Sequence, residues 1–184
     1  PEARQVIDAE GRVVSPGFID IHMHEEDFVH EGKQFVIANM MLEMGVTTAV
    51  GGNCGVQKQP LSIFKSVLNE LGGSPVNYLI LAGYNHFRTE LGIGRYAHPS
   101  QAQMDELQAI MKRELAEGAY GISFGIEYDP GITFDEMLWA VRASDDPHLL
   151  VSAHYRDETK KDDLFPVEEM IRFSQEIPQK FQIS

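Results

Sequence analysis

The feature that most constrains the fold is a repeated alternation of short apolar runs with stretches of helical spacing. The apolar runs recur at intervals of roughly 30 residues, as strands of a parallel sheet do when a helix follows each one. We predict strands at residues 18–21, 47–50, 77–81, 120–124, 149–153 and 181–184. Helices are predicted at residues 35–44, 61–71, 104–117, 134–143 and 167–175. The pattern indicates an α/β protein, and periodicity alone fits a (β/α)₈ barrel as well as a doubly wound sheet.

Residues at the predicted helix ends support these assignments. Ser100 and Thr133 are suited to cap the helices that follow them, and Gly45, Gly72 and Gly118 are suited to end the helices before them. Ahead of the first strand, residues 5–7 and 12–14 are short apolar-leaning runs around a glycine-containing turn, which predicts a β-hairpin.

Charge and composition exclude several classes of partner. The net charge is −13 with only 15 Lys and Arg, so we expect no nucleic-acid or anionic-membrane partner. No apolar run reaches the roughly 18 residues of a membrane span, and no signal-peptide pattern is found at the first residues, so we expect a cytoplasmic protein. Cys54 is the single cysteine, so its thiol serves packing, reactivity or metal binding rather than an intramolecular disulfide.

A pair of histidines follows the first predicted strand. His22 and His24 are two residues apart, so in an extended chain their side chains project to the same side. Neutral imidazole nitrogens are common zinc ligands. No glycine-rich phosphate loop stands at this position, so a nucleotide-binding fold lacks its usual motif. Taken alone, a His-x-His pair is a weak indication of metal binding. Its position at the end of a predicted strand strengthens the indication, because barrel active sites lie there.

Two further candidate ligands follow other strands. Cys54 lies in the sequence Gly51-Gly52-Asn53-Cys54-Gly55, just past the second strand, where a small buried hydrophobe is the alternative reading. His154 follows the fifth strand, where a solvated loop histidine is the alternative. Because barrel active sites collect at the carboxyl ends of the strands, we expect His22, His24, Cys54 and His154 to converge.

Four sequence blocks in chain order carry a resemblance to a known family. The run VVSPGFIDIHMH from Val13 to His24 resembles the opening motif of the amidohydrolase superfamily. The blocks at residues 45–48, 52–55 and 117–131 resemble its N-acyl-D-amino-acid deacylase (D-aminoacylase) branch. The third-strand block departs from the family, with Tyr84 where relatives have histidine, and Ala153 and Tyr155 replace the usual Ser and Met. These departures leave the metal positions intact and concern substrate preference.

The resemblance implies a fold, a metal centre and a reaction. It implies a TIM-type (β/α)₈ barrel that binds one or two Zn²⁺ ions, with His22 and His24 at one metal position, Cys54 bridging and His154 at the other. Its reaction is hydrolysis of the amide of a small N-acyl-D-amino acid by a metal-activated water. It places Tyr128 near the scissile carbonyl and Arg156 at the anionic end of the substrate. The alternative for Arg156 is an ion pair with a loop acid such as Asp157 or Glu158.

The resemblance also bears on the extent of the chain. Residues 1–15 resemble the remnant of a small β-sandwich domain, and residues 16–184 resemble the first part of the barrel, with about six of its eight strands. A further histidine ligand, a lysine and the aspartate that acts as general base are expected beyond Ser184.

Two other functions stay open at this point. A cyclic-amide hydrolase of the dihydroorotase or hydantoinase type shares the opening motif, although the Cys54 loop and the Tyr128-Asp129-Pro130-Gly131 block disfavour it. A non-catalytic metal-binding relative is the alternative from a different class.

Overall fold

The computed structural model describes residues 3–156 and 164–184, and its centre is a six-stranded sheet in which each strand is parallel to its neighbours. The strands are β1 (Phe18–Asp20), β2 (Val46–Gly51), β3 (Asn77–Gly83), β4 (Gly121–Phe124), β5 (Leu150–Ala153) and β6 (Lys180–Ile183). The helices are α1 (Ile37–Glu43), α2 (Leu61–Glu70), α3 (Tyr84–Glu90), α4 (Gln101–Ala116), α5 (Phe134–Val141) and α6 (Phe165–Gln175). In the sheet, the spatial order of the strands is the same as their order along the chain, β1-β2-β3-β4-β5-β6. A doubly wound sheet reverses its order partway, so this order is that of a TIM-type barrel wall.

The six predicted strands are all present, and one helix was not predicted. The unpredicted helix, α3, begins directly after the last residue of β3. Its buried face contains Asn85 and Arg88 as well as Tyr84 and Phe87. Because half of that face is polar, the apolar spacing that reveals an amphipathic helix is missing.

The predicted caps are confirmed. The Ser100 hydroxyl accepts a hydrogen bond from the Gln103 backbone N–H in a capping box, and Thr133 accepts one from Glu136. The cap at Ser100 places the first residue of α4 at Gln101, three residues earlier than predicted from apolar spacing alone. Gly45 and Gly118 follow α1 and α4 with φ of 83° and 103°, a conformation that glycine adopts without steric cost.

The main apolar core lies between the strands and the helices that pack on them. Its fully buried members include Phe64 of α2, Met111 of α4, Phe124 of β4 and Phe173 of α6. Each large apolar side chain buried in this way contributes about 1.5–3 kcal/mol to folding. The core therefore fixes the strands relative to one another and leaves their carboxyl ends available for polar loops.

The segment before β1 forms the predicted turn but not the predicted strands. Glu10 and Gly11 have φ of 52° and 76°, and the Arg12 N–H donates to the Ala9 carbonyl oxygen at 2.8 Å. No strand is assigned within residues 3–17. Val6 and Val13 are 85% and 92% exposed, and a two-stranded hairpin without an apolar face to pack on is marginal. The assignment of residues 1–15 to a separate domain stays a prediction.

Within the described ranges, the structure contains no helix with both the length and the apolar character needed to cross a membrane.

Candidate metal centre

Three of the predicted ligands come together at the carboxyl ends of the strands. His22 lies two residues past β1, Cys54 three residues past β2, and His154 directly after β5. The His22 Nε2 atom is 3.2 Å from the Cys54 sulfur, and the His154 Nε2 atom is 3.0 Å from the same sulfur. One ligand atom from each residue lies within 4.8 Å of those of the other two. Cys54 thus stands between the two imidazoles.

His24 lies beside this cluster rather than in it. Its ring centroid is 6.3 Å from that of His22, and it is not among the three residues whose ligand atoms converge. Its Nδ1 atom is buried and has no hydrogen-bond partner among the described residues. Burial, with smaller effects from nearby His22 and Lys58, lowers the pKa of His24 and favours the neutral imidazole that a metal requires.

The backbone around Cys54 has a left-handed conformation at several positions. Gly52 and Gly55 have φ of 73° and 68°, and Cys54 itself has φ of 61°. A Cβ atom at Gly52 would overlap the carbonyl oxygen of Leu81 in β3, so only glycine fits at this close approach. The turn directs the sulfur toward the two histidines.

Side chains from neighbouring strands hold this turn, which we call the Cys54 loop (residues 51–58), in place. The Ser123 hydroxyl of β4 donates to the Gly52 carbonyl oxygen and accepts from the Gly55 N–H at 3.0 Å. The Ser152 hydroxyl of β5 donates to Asn53 Oδ1 at 3.2 Å. Buried hydrogen bonds of this kind keep the loop from relaxing away from the strands.

A buried carboxylate holds the same loop from the other side. Glu25 is 1% exposed, and its two oxygens accept from the Gly52 N–H at 2.8 Å and from the Lys58 N–H at 2.7 Å. Burial raises the pKa of Glu25, and the two backbone donors partly oppose that rise. Glu25 therefore joins the start and the end of the Cys54 loop.

A second carboxylate orients His154. The Nδ1 atom of His154 is 2.9 Å from an oxygen of Glu127, which lies three residues past β4. A carboxylate accepts a hydrogen bond from Nδ1–H, which leaves Nε2 to face the Cys54 sulfur as a ligand atom. Burial raises the pKa of the Cys54 thiol, and the charge of Glu127 adds to this rise. A bound cation would act in the opposite direction and favour the thiolate.

Tyr128 lies close to the cluster, and its predicted place near the scissile carbonyl of a substrate stays a prediction. Its ring centroid is 5.1 Å from that of His154, and it is 45% exposed. Together with Cys54 it lines a cavity of about 300 Å³ that also includes Val56, His86 and Asp129. Another cavity, of about 240 Å³, lies between α2 and β3 and shares no lining residue with it.

Arg156 is engaged in bonds to the protein. Its guanidinium donates to the carbonyl oxygens of Pro130 and Ile132 at 2.7 and 2.8 Å, and to both carboxylate oxygens of Glu169 at 3.2 Å. This geometry favours the ion-pair alternative, with Glu169 of α6 as the acid. Asp157 and Glu158, the acids considered from the sequence, lie outside the described residues.

The departures from the family pattern lie around this site rather than in the ligand cluster. Tyr84 is 1% exposed, and its hydroxyl donates to Glu136 at 3.0 Å. Ala153 is fully buried, whereas Tyr155 is 49% exposed. Tyr84 is thus a buried core residue at the start of α3.

The donor set fits a divalent transition-metal ion such as zinc. Two imidazole nitrogens and a thiol converge on one point, and the unpartnered His24 Nδ1 atom lies next to them. Nitrogen and sulfur donors favour zinc over magnesium or calcium, which prefer oxygen.

Several of these residues were not identified from the sequence. They are Glu25, Asn53, Asn85, Ser123 and Glu127. An acidic residue directly after the His-x-His pair, and another just past the end of β4, were the available signals for Glu25 and Glu127. The other three have no distinctive pattern, because each has a partner distant in sequence: Ser152 for Asn53, Gly55 for Ser123 and Gly125 for Asn85.

Comparison with known proteins finds similarity to one family of hydrolases. The family model described as "Amidohydrolase family" matches residues 5–112. The chain is 30% identical over 149 residues to an N-acyl-D-aspartate deacylase of Alcaligenes xylosoxydans xylosoxydans, covering 68% of this chain and 29% of that protein. It is 26% identical over 176 residues to a D-aminoacylase of the same organism, covering 83% of this chain and 36% of that one.

A solved structure has the same fold. The N-acyl-D-glutamate deacylase of Bordetella bronchiseptica, in complex with zinc and a phosphonate mimic of the tetrahedral intermediate, matches with a TM-score of 0.74 and 24% identity. The match covers 90% of this chain and 39% of that one, so the chain spans well under half the length of these relatives. The family model covers more than half of the chain, and on that basis the chain belongs to the amidohydrolase family.

Proposed function

We propose that this chain is part of a metal-dependent hydrolase that cleaves the amide bond of N-acyl-D-amino acids. The observation that carries the proposal is the convergence of His22, Cys54 and His154 on one point at the carboxyl ends of the strands. The relatives that are deacylases of N-acyl-D-amino acids support the substrate class. The products of this reaction are a carboxylate and the free D-amino acid.

The residues of this chain would hold and orient a divalent ion. His22, Cys54 and His154 offer the converging atoms, and His24 would complete the ligand set by a small side-chain movement. Zinc is the ion we propose, one or two per protein, as supported by the zinc complex of the related deacylase. A bound ion would polarise the amide carbonyl and lower the pKa of a water molecule.

Other residues of this chain would position the reacting groups. Glu127 keeps the Nδ1–H of His154 occupied, so that Nε2 stays directed at the cluster. Tyr128 has a half-exposed ring beside His154, where its hydroxyl can donate to a substrate oxygen. The aspartate implied as general base beyond Ser184, and a cytoplasmic location, stay predictions.

Assays of the full-length protein separate this function from its alternatives. We expect hydrolysis of N-acetyl-D-amino acids in preference to the L forms, with no turnover of dihydroorotate or hydantoins. Equal turnover of both hands, or preference for a cyclic amide, would contradict the deacylase assignment. Metal bound without any hydrolysis would instead identify a non-catalytic relative.

Substitution of Cys54→Ser tests the role of the sulfur. We expect zinc affinity to fall by at least about tenfold and activity to fall with it, because a hydroxyl does not replace a thiolate as a soft ligand at neutral pH. Zinc content is measured by elemental analysis after dialysis, alongside kcat/KM. Full activity of the variant would mean that Cys54 serves only packing.

A further inference from the structure

A cavity adjoins Cys54, and its walls come from the loops past β2 and β4 and from α3. We call it the Cys54 cavity; Val56 of the Cys54 loop, Tyr128 and Asp129 past β4, and His86 and Thr89 of α3 line it. Its volume of about 300 Å³ is at the lower end of the range for ligand sites. Cys54 itself is part of its lining, so a group bound there would adjoin the candidate metal centre.

The charge of the wall restricts what the Cys54 cavity can accept. Asp129 contributes a carboxylate whose side chain is 15% exposed. The cation nearest to it in the described structure is Arg88, with Nη1 4.0 Å from Asp129 Oδ2. Arg88 is fully buried and already donates to Glu136 at 2.8 Å and to the Ala97 carbonyl oxygen at 2.8 Å. Arg88 is thus shared between two carboxylates, Asp129 and Glu136, and its single positive charge balances only one of them.

The remaining polar groups of the wall differ in whether they have hydrogen-bond partners. The Asn85 side chain exchanges two hydrogen bonds of 2.9 Å with the backbone of Gly125. His86 Nε2 is buried, is 3.5 Å from a carboxylate oxygen of Glu90, and has no hydrogen-bond partner among the described residues. The cavity is thus lined by aliphatic and aromatic side chains, by the polar groups of Tyr128 and His86, and by one carboxylate, that of Asp129.

On this basis we propose that the Cys54 cavity binds the acyl group of the substrate and selects neutral acyl chains of short to medium length. This inference rests on the proposed function. An N-acyl amino acid carries its α-carboxylate and its side chain on the same carbon, so a cavity that repels the carboxylate disfavours that whole half of the molecule. The acyl chain lies on the other side of the amide and carries no charge.

A panel of substrates with the full-length protein tests the assignment. One D-amino acid is offered with acetyl, butanoyl, hexanoyl and succinyl groups, and a second series keeps the acetyl group and varies the amino-acid side chain. Thr89→Leu fills the cavity from an exposed position of α3. We expect Thr89→Leu to lower kcat/KM for the hexanoyl substrate relative to the acetyl substrate by about tenfold or more. The relative kcat/KM values across the series that varies the amino-acid side chain should stay unchanged.

Matched variants control for folding and for surface hydrophobicity. Ser66→Leu makes the same kind of change at an exposed position of α2 outside the cavity, and we expect its acyl preference to equal that of the wild type. If Thr89→Leu fails to fold by thermal denaturation, Val56→Leu fills the cavity from the Cys54 loop instead.

The charge of Asp129 is tested with substrates of equal length. Butanoyl and succinyl groups have the same number of carbons, and only the succinyl group ends in a carboxylate. We expect Asp129→Asn to raise the succinyl-to-butanoyl ratio of kcat/KM by about tenfold or more, because a like-charge contact is removed.

Each result has one meaning for the proposal. Turnover with an acyl preference that neither Thr89→Leu nor Asp129→Asn changes would overturn the acyl site and leave the proposed function standing. If Thr89→Leu instead lowers kcat/KM according to the amino-acid side chain of the substrate, the cavity binds the amino-acid half, and the acyl-site proposal is overturned. No hydrolysis of any N-acyl-D-amino acid by the wild type would overturn both.

Discussion

At the scale of single residues, the backbone of Cys54 is the most unusual feature of the site. Its φ of 61° is one of two positive values at non-glycine positions in the described chain. A left-handed conformation costs a residue with a Cβ atom about 1–2 kcal/mol. The hydrogen bonds that backbone N–H groups of the Cys54 loop donate to Ser123 and Glu25 offset that cost. Strain held in place in this way is common where a side chain must be aimed at a ligand.

Glu127 provides a test of ligand orientation at this scale. We expect Glu127→Ala to weaken zinc binding by about 10–100-fold, because His154 loses the acceptor that fixes its tautomer. Glu127→Gln keeps an acceptor oxygen and should lose less affinity. Competition with a chromophoric chelator measures the dissociation constant. Glu31→Ala removes an exposed acid of the 25–34 segment and is the control; an equal loss in that variant would point to net charge instead of orientation.

Arg156 provides a second test, because its two possible roles predict different readouts. In the structure its guanidinium bonds to Pro130, Ile132 and Glu169, so we expect Arg156→Lys to lower the free energy of unfolding by about 1–3 kcal/mol. Glu169→Gln should also lower the free energy of unfolding. Denaturant titration measures both. A raised KM with unchanged stability would instead support the substrate-binding role predicted from the sequence.

At the scale of elements, the loops that follow the strands are fixed by side chains from other strands and from α3. The Cys54 loop bonds to Ser123 of β4 and Ser152 of β5, and the Asn85 side chain at the start of α3 bonds to Gly125 just past β4. Loops at this edge of a barrel carry function because a rigid sheet holds them. The site is therefore built from several loops that depend on one another.

Substitution of Glu25 is the best test of whether the loops of the site depend on one another. We expect Glu25→Gln to lower stability by about 1–3 kcal/mol, because one end of an amide is a donor and cannot accept from a backbone N–H. Zinc affinity should fall as well, since the Cys54 loop is released at one end. Glu26→Gln is the matched control: Glu26 is buried next to it and accepts from Ala38 at the start of α1, not from the Cys54 loop. Equal zinc affinity in Glu25→Gln and wild type would contradict the role of Glu25 as a clamp.

At the scale of the whole molecule, the sheet presents strand edges and apolar side chains that its own helices do not cover. β1 pairs only with β2, and β6 only with β5, within the described residues. Phe18 and Ile19 of β1 are 69% and 64% exposed. An exposed apolar edge strand is a template for pairing with another chain.

We therefore expect a polypeptide of these 184 residues, produced alone, to self-associate in a concentration-dependent manner. Sedimentation velocity over a tenfold range of concentration measures it. Ile19→Lys should reduce the association, because a charge on an edge strand opposes pairing. Tyr96→Lys changes a residue that is 72% exposed and lies outside the sheet, and it should have little effect. Association that is insensitive to Ile19→Lys would locate the contact elsewhere.

The sequence alone determined the order of the strands and of every helix except α3, because apolar periodicity and capping residues are local properties. It also determined which residues stand at strand ends, since His22, Cys54 and His154 each follow an apolar run. The motif at residues 13–24 pointed to the same family that the comparisons identify. Local signals could not separate a barrel from a doubly wound sheet, and the pairing order of the six strands decided it.

Only the tertiary structure decided which polar residues act together. The contact between His154 and Glu127 spans 27 positions, and that between Gly52 and Glu25 also spans 27, so no local pattern reveals either. The tertiary structure likewise placed Arg156 against Glu169 and His24 beside the cluster instead of within it. The physical reason is that a hydrogen bond or a ligand contact depends on ångström distances between side chains from different loops, and these are fixed only when the sheet and its core bring those loops together.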